Sequence, residues 1–263
     1  MSRIVPLLYG AVAYLGFLGV SLYAVGFIGG FITPTSLDGP PTGPPGVALT
    51  IDCALLAAFA LQHSVMARPA FKRWWTRIVP ESAERSTYVL LSCLALMALF
   101  ILWQPVGGLV WKVNSPNTRA LLYGAIALGW TVLLASTFLL NHFDLLGLRQ
   151  VWLQLKHKPY QSLSFRTPTL CRYVRHPLYV GWLLTFWAAL TVAHLVFALS
   201  SCVYILIAIR LEECDLIAVH PQYQDYRRRV PMLLPLSNGK SRASQASCAP
   251  RQVPARQTRR SPV

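Results

Sequence analysis

Arg175-His176-Pro177-Leu178-Tyr179-Val180-Gly181-Trp182 sets two cation-capable side chains directly in front of a proline that opens an apolar run. Proline suits the first position of a helix, because the N–H it lacks would have no intrahelical partner there. The free N–H groups of that first turn, added to the positive end of the helix dipole, favour a carboxylate or phosphate in front of them. The apolar stretch that follows ends at Arg210-Leu211-Glu212-Glu213. A helical hairpin between the two motifs therefore returns the acids to the membrane face that carries Arg175 and His176, and opposite charges converge on one pocket mouth.

The remainder of the chain places that hairpin in a bilayer. Of 263 residues, 54% are hydrophobic and only 13% charged, which is too apolar for an ordinary soluble domain and too short for several domains. A hydrocarbon core of roughly 30 Å takes about 20 apolar residues per helix. Candidate spans are Val5 to Ile32, Val47 to Ala67, Thr87 to Gly108, Ala120 to Leu140, Leu178 to Leu190 and His194 to Ile209. The fifth is short, so it is expected to be re-entrant or tilted and to form a tight hairpin with the sixth. The expected fold is all-α, a polytopic integral membrane helical bundle of five to six transmembrane helices over residues 1–236.

Basic residues orient the spans. Arg68, Lys72, Arg73, Arg77 and Arg85 follow the second, and Arg149, Lys156, Lys158, Arg166, Arg172 and Arg175 follow the fourth, whereas the stretch from Thr33 to Gly46 has neither Lys nor Arg. Both basic connections are expected in the cytoplasm, with the N- and C-termini on the same side. Val5 to Ile32 is too long for the apolar region of a signal peptide, and no small-residue cleavage site follows it. The formal net charge of +15 includes Lys240, Arg242, Arg251, Arg256, Arg259 and Arg260 in the tail 237–263, which has no acid and is rich in Ser, Gln and Pro. That tail is expected to be disordered and to brush anionic lipid head groups. Nucleic-acid binding is not expected, because no aromatic or Gly-rich pattern interleaves its basic residues.

Gly39-Pro40-Pro41-Thr42-Gly43-Pro44-Pro45-Gly46 suits only an irregular external loop. Phe71-Lys72-Arg73-Trp74-Trp75-Thr76-Arg77 reads as a segment lying in the head-group layer. After Glu81 and Glu84, Ser86-Thr87 is expected to start the third span. The connection after the fourth span is long and polar, but Phe143, Trp152, Tyr160, Phe165 and Tyr173 make it an ordered cap. Tyr223-x-x-Tyr226, followed by Arg227, Arg228 and Arg229, reads as a short amphipathic interfacial helix. The six cysteines show no C-x-x-C spacing, so neither a disulfide framework nor a zinc or other metal site is expected. No sequence feature sets an oligomeric state.

Taken together, R-H-P-x-Y-x-G at the head of a hairpin, Arg-x-Glu-Glu at its end, and Tyr-x-x-Tyr with Val230-Pro231 and Pro235 beyond resemble the isoprenylcysteine carboxyl methyltransferase superfamily of membrane methyltransferases. Gln62-His63-Ser64-Val65-Met66-Ala67-Arg68-Pro69, Glu84-Arg85-Ser86-Thr87-Tyr88, and the run Ser136-Thr137-Phe138-Leu139-Leu140-Asn141-His142-Phe143-Asp144 to Gln150-Val151-Trp152 are similar to one bacterial branch, the methanethiol S-methyltransferases. The resemblance covers roughly residues 3 to 236. It implies transfer of a methyl group from S-adenosylmethionine to methanethiol, giving dimethyl sulfide, at the bacterial cytoplasmic membrane. Two departures stand out: Ala218-Val219-His220-Pro221-Gln222-Tyr223, where the superfamily commonly has glycine and an acid before its tyrosine, and Ala188-Ala189-Leu190-Thr191, which lacks a proline at the hairpin bend.

The resemblance implies a cofactor pocket of Arg175, His176, Tyr179 and Gly181 on one side and Arg210, Glu212 and Glu213 on the other. Physically, Arg175 and the helix N-terminus suit the methionine carboxylate, Glu212 or Glu213 suits the amino group or ribose hydroxyls, and Gly181 permits close backbone approach. A thiol must also lose its proton, so a base or a positive field is useful at neutral pH. His142, with Asp144 nearby, and His63 are the candidates. Each has a structural alternative: Arg210 and Glu213 at i, i+3 form a simple ion pair, His63 caps a helix or fills a buried hydrogen bond, and His194 is a turn residue. Other acceptors for the same chemistry are an isoprenylated cysteine carboxylate, a phospholipid amine or another thiol. The non-enzymatic alternative is a membrane protein of the nitrite and nitric-oxide reduction-associated group.

Overall fold

The computed structural model describes residues 4–41, 43–163, 167–187 and 191–235. The basic tail 237–263 and the hairpin-bend residues 188–190 lie outside the described residues. Five helices are long and apolar enough to cross a bilayer: α1 (Ile4–Gly29), α2 (Pro45–Ala67), α4 (Glu81–Leu102), α5 (Pro116–Leu139) and α9 (Val192–Val219). Shorter helices lie between them: α3 (Pro69–Trp75), α6 (His142–Leu145), α7 (Leu148–Leu155), α8 (Pro177–Phe186) and α10 (Tyr223–Arg229), with a 3-10 turn at Thr169–Arg172. The described residues contain no strand beyond one isolated bridge between Leu109 and Thr191. Leu22, Leu121, Val203 and Ile207 stay exposed on the long helices, as lipid-facing side chains must.

Two expected starts and ends move. The third span begins at Glu81, not at Thr87: Pro80 precedes it, and Glu81 and Glu84 occupy its first turn, where carboxylates complement the positive end of the helix. The last helix runs on to Val219, well past Ile209. Arg210, Glu212 and Glu213 therefore sit on continuous helix, well before its end.

The fifth expected span is only part helical. α8 has 10 residues, about 15 Å of helix at 1.5 Å per residue and so half a hydrocarbon core. The chain nevertheless passes from one end of the bundle to the other between His176 and Thr191. His176 faces Glu213 at the charged end. At the opposite, loop end the Thr191 hydroxyl donates to Asp38, and Val192 N–H donates to the Gly108 carbonyl at 3.1 Å. His194, buried at 1% exposure, fixes the same bend by reaching Asp38 Oδ2 at 2.9 Å and the Phe186 carbonyl at 3.2 Å.

α1, α2 and α4 pack as one group, α9 leans on α2, and α8 lies along α5. At the loop end Phe27, Phe100, Trp103 and Phe197 interlock, with the Phe27 and Phe100 centroids 4.7 Å apart and Trp103 edge-on to Phe197 at 5.6 Å. Between α5 and α8 the backbones touch. A Cβ on Gly181 would lie 2.7 Å from the Leu133 nitrogen and 2.9 Å from the Gly129 carbonyl oxygen, and one on Gly129 would lie 2.8 Å from the Gly181 carbonyl oxygen. The close approach that Gly181 permits is thus to α5. Small residues commonly let membrane helices meet in this way.

Gly129→Ala or Gly181→Ala should therefore cost about 1–3 kcal/mol by forcing α5 and α8 apart. Gly124→Ala on the same helix, where nothing lies within 4 Å, should be neutral or stabilising. Thermal unfolding in detergent checks this; equal midpoints for the Gly129 and Gly124 variants would refute the contact.

Candidate functional site

Glu213 is 2% exposed, and its carboxylate is surrounded. Arg175 Nε donates to Oε1 at 2.8 Å, His176 Nε2 lies 3.1 Å from the same oxygen, and Tyr223 OH is 3.4 Å away. Arg227 Nε approaches Oε2 at 3.2 Å. Arg175 also donates through Nη1 to the carbonyls of Arg227, at 2.9 Å, and Val230, at 2.5 Å. The backbone follows: Arg175 N–H donates to the Pro231 carbonyl and His176 N–H to that of Met232. Pro177 can open α8 because its missing N–H is one that no helix carbonyl could take. The hairpin thereby delivers Arg175, His176, Glu212 and Glu213 to one place, as their order in the sequence predicts.

Glu212 faces the other way. Its side chain is 46% exposed and lies within 3.9 Å of His176 Nδ1. Tyr179 OH donates to its Oε2 at 3.2 Å. Arg210 is exposed on α9 and does not pair with Glu213, whose cationic partners come from α8's approach and from α10. The i, i+3 ion pair expected as the structural alternative is not formed.

A second group lies between α2, α4 and α9. Tyr88 OH is 2.8 Å from His63 Nε2, while His63 Nδ1 lies 3.0 Å from Ser92 Oγ. Phe59 stacks on the His63 ring at 5.3 Å, and Tyr204 meets Phe59 edge-on. Arg68 pairs with Asp215 at 2.9 Å, clamping the end of α2 to α9. His63 is thus a hydrogen-bonded member of the α2/α4/α9 interface.

His142 belongs to a separate cluster. It is 3% exposed and stacked face to face on Phe138 at 4.3 Å. Thr137 Oγ1 donates to the Leu134 carbonyl at 2.7 Å, so its lone pair must accept from His142 Nδ1–H, 2.9 Å away. Nε2 is then an acceptor and takes the Tyr14 hydroxyl at 3.1 Å. Burial lowers the His142 pKa and keeps the ring neutral. Asp144 does not touch that ring in any bond of the described residues; it pairs with Arg149 at 2.8 Å and accepts from Tyr160 at 3.3 Å. His142 and Asp144 instead line a groove of about 600 Å³ with Leu7, Phe143, Leu148 and Trp152.

The sequence reading missed several members. Tyr223 and Tyr226, read as interfacial, are 2% and 7% exposed and buried against protein, because α10 turns their face toward Glu213 and Cys171. The signal was present: a basic run directly after paired tyrosines can serve acids left at the end of an apolar helix. Tyr204 and Tyr14 gave no signal, being ordinary residues of apolar helices, and Tyr88 and Thr137 stood out only as members of stretches that carry the family resemblance.

Five apolar spanning helices, with a half-length hairpin arm closed on a buried Arg–His–Glu network, make this a multi-pass membrane protein. The chain is 54% identical to the methanethiol S-methyltransferase of Crocosphaera subtropica over 92% of its own length and 96% of that protein's. It is 48% identical to the methanethiol S-methyltransferase of Mycobacterium tuberculosis, covering 89% and 98% of the two chains. Nurim from Xenopus laevis is 32% identical over 63% of this chain. No family model matches, and no solved structure does. The chain belongs to the methanethiol S-methyltransferase family.

The neutral, buried His142 should leave a mark on stability. Its folded pKa lies below the ordinary 6.5, so in acid the unfolded chain binds a proton that the folded chain refuses, and stability falls with pH. The contribution is complete above about pH 6.5 and is lost progressively below it. His142→Asn should lower the unfolding temperature at pH 7.5 yet flatten its decline toward pH 5.5. Parallel declines in wild type and variant would count against the assignment.

Proposed function

We propose that this protein is an integral-membrane enzyme that transfers a methyl group from S-adenosylmethionine to methanethiol, forming dimethyl sulfide. The observation that carries the reading is the charge pattern at the hairpin head. The buried Glu213 is outnumbered by Arg175 and Arg227, while Glu212, half exposed and held by Tyr179, presents an open carboxylate next to them. A net cation beside an accessible anion is complementary to a zwitterion, which fits the methionine end of the donor.

In this reading Glu212 and Tyr179 receive the ammonium group or ribose hydroxyls. Arg210, exposed and one turn before Glu213, together with the Leu178 amide at the start of α8, faces the carboxylate. Arg175, His176 and Glu213 form the wall that sets these groups, since three of the five Arg175 N–H donors are already engaged. The donor, when bound, supplies a sulfonium methyl that needs no further activation. The protein has to align the thiol, exclude water and accept a proton.

Of the two histidines proposed as bases, His63 is favoured by its surroundings. Both histidines have their two ring nitrogens engaged, His63 with Tyr88 and Ser92 and His142 with Thr137 and Tyr14, but His63 lies on α2, whose end the Arg68–Asp215 pair clamps to α9, the helix that carries Glu212. The distribution of Lys and Arg supports the bacterial cytoplasmic membrane as the location, with both termini and the charged end in the cytoplasm.

Headspace detection of dimethyl sulfide from purified protein in lipid, given methanethiol and S-adenosylmethionine, tests the reaction. Product appearing only with an isoprenylated cysteine or an amine acceptor would replace the substrate. Glu212→Gln should weaken equilibrium binding of S-adenosylmethionine by about 10- to 100-fold, on the order of 1.5–3 kcal/mol for a hydrogen bond to a charged group. Its unfolding temperature should barely move, because the side chain is half exposed. Undiminished affinity would remove Glu212 from the pocket.

A further inference from the structure

Two left-handed positions fold the chain back after α5. Asn141 has φ 70° and Gly147 φ 90°, conformations open to asparagine and glycine, and a Cβ on Gly147 would lie 2.8 Å from the Ser86 nitrogen. α7 is thereby laid against α1 and α4, with Val151 wholly buried beside Gly10, where a Cβ would come within 2.7 Å of it. The other face of α7, with Leu148, Arg149 and Trp152, is left to line the groove of about 600 Å³ together with Leu7 and Phe138. That volume falls within the roughly 300–1,000 Å³ of small-molecule sites. The groove lies where α1 starts and α5 ends, the level at which the chain passes from hydrocarbon to head groups. Its Phe138 wall, 56% exposed, continues into Leu134, 53% exposed and one turn deeper on α5, so the apolar trough runs out onto the lipid-facing flank of that helix.

Charge at the mouth decides what fits. The Asp144 carboxylate is already answered: Oδ1 accepts from Arg149 Nη1 at 2.8 Å and from Gln150 Nε2 at 3.5 Å, and Oδ2 accepts from Tyr160 at 3.3 Å. Arg149 keeps donors in hand. Its Nη1 also donates to the Gln161 carbonyl at 3.2 Å, but among the described residues Nε and Nη2, which carry three of its five N–H groups, donate to nothing. Lys156 Nζ stands 5.0 Å from the centre of the Trp152 ring and brings a second cation to the rim. Two cations against one acid leave a positive balance beside an apolar trough. We propose that the groove binds one anionic phospholipid from the leaflet at the charged end, with its phosphate on Arg149 and Lys156 and an acyl chain over Phe138, Phe143 and Trp152. A guanidinium fork matches two oxygens of a phosphodiester, and a zwitterionic head group would bring an ammonium to a carboxylate that already has three donors. The site is independent of the methyl-transfer reading, and its occupancy is measured without any turnover.

Native mass spectrometry of the delipidated protein in detergent, titrated with phosphatidylglycerol or with phosphatidylcholine of the same chains, reads the site directly. Wild type should take one phosphatidylglycerol about tenfold or more tightly than phosphatidylcholine. Arg149→Gln should weaken phosphatidylglycerol about 10- to 100-fold, as expected for lost hydrogen bonds to a charged group, and leave phosphatidylcholine unchanged. Lys156→Gln, at an exposed position, should weaken it about fivefold, the usual share of one basic residue at an anionic surface. Trp152→Ala should weaken both lipids, since it removes a wall of the acyl chain. Arg73→Gln, exposed in the basic segment of α3, deletes the same charge from the head-group level outside the groove and should change affinity by less than about twofold. Equal affinity for the two lipids, or equal losses from the Arg73 and Arg149 variants, would mean a lipid shell held by net charge alone and would overturn the site. Glycerol 3-phosphate displacing bound phosphatidylglycerol as effectively as the lipid itself would mean a free-phosphate site and would overturn it equally. Should Arg149→Gln fail to fold, the comparison of Lys156→Gln with Arg73→Gln decides the question in the same way.

Discussion

The buried carboxylate of Glu213 is the constraint on which the charged end of the molecule depends. An ionised carboxylate inside a protein costs several kcal/mol unless charges and hydrogen bonds answer it. Here the answers come from two separate stretches of the chain: Arg175 and His176 before α8, and Tyr223 and Arg227 from α10. One carboxylate on α9 thereby recruits the approach to the hairpin and folds the chain after α9 back beside it. The segment Val230–Met232 then pairs with Arg175 and His176 through backbone and side chain alike. The Tyr226 hydroxyl donating to the Cys171 carbonyl at 2.5 Å extends the same closure to the 3-10 turn.

That closure explains how a ten-residue helix can serve as the fifth passage. α8 is too short to be stable in lipid on its own and satisfies its surroundings by protein contact. Its Gly181 backbone lies against Gly129 and Leu133 of α5, and its far end is received by the Asp38, Thr191 and His194 cluster. Polar groups at membrane depth are tolerated where protein surrounds them, and His194 with both ring nitrogens bonded meets that condition. The hairpin is therefore pinned at both ends, by ion pairs at one and by the pairing of buried His194 with partly exposed Asp38 at the other. A site built on its head inherits that rigidity.

The fold was largely legible because its signals are strong physical ones: long apolar runs, basic connections and a proline-opened hairpin. Boundaries were less so. Glu81 and Glu84 look like loop residues until the helix dipole is considered, and the last span, expected to end at Ile209, runs on to Val219. Of the site, the Arg175, His176, Glu212 and Glu213 grouping followed from sequence order alone, since a hairpin must return its ends together. The tyrosines did not, because a Tyr in an apolar helix reads equally as an anchor, a packing residue or a pocket wall. Gly181 shows the same limit: that a backbone approaches closely there could be foreseen, but not that the approaching backbone is α5.

The arrangement also bears on why such chemistry belongs at a membrane face. In the proposed reaction the donor is charged and comes from water, while methanethiol is small and apolar and partitions into lipid. The hairpin head is where the two phases adjoin: Glu212 remains half exposed, yet a few residues away His63, Phe59, Tyr88 and Tyr204 form an aromatic patch inside the spanning bundle. A contact made inside that patch meets little competing water, so each electrostatic interaction there counts for more than it would in solution.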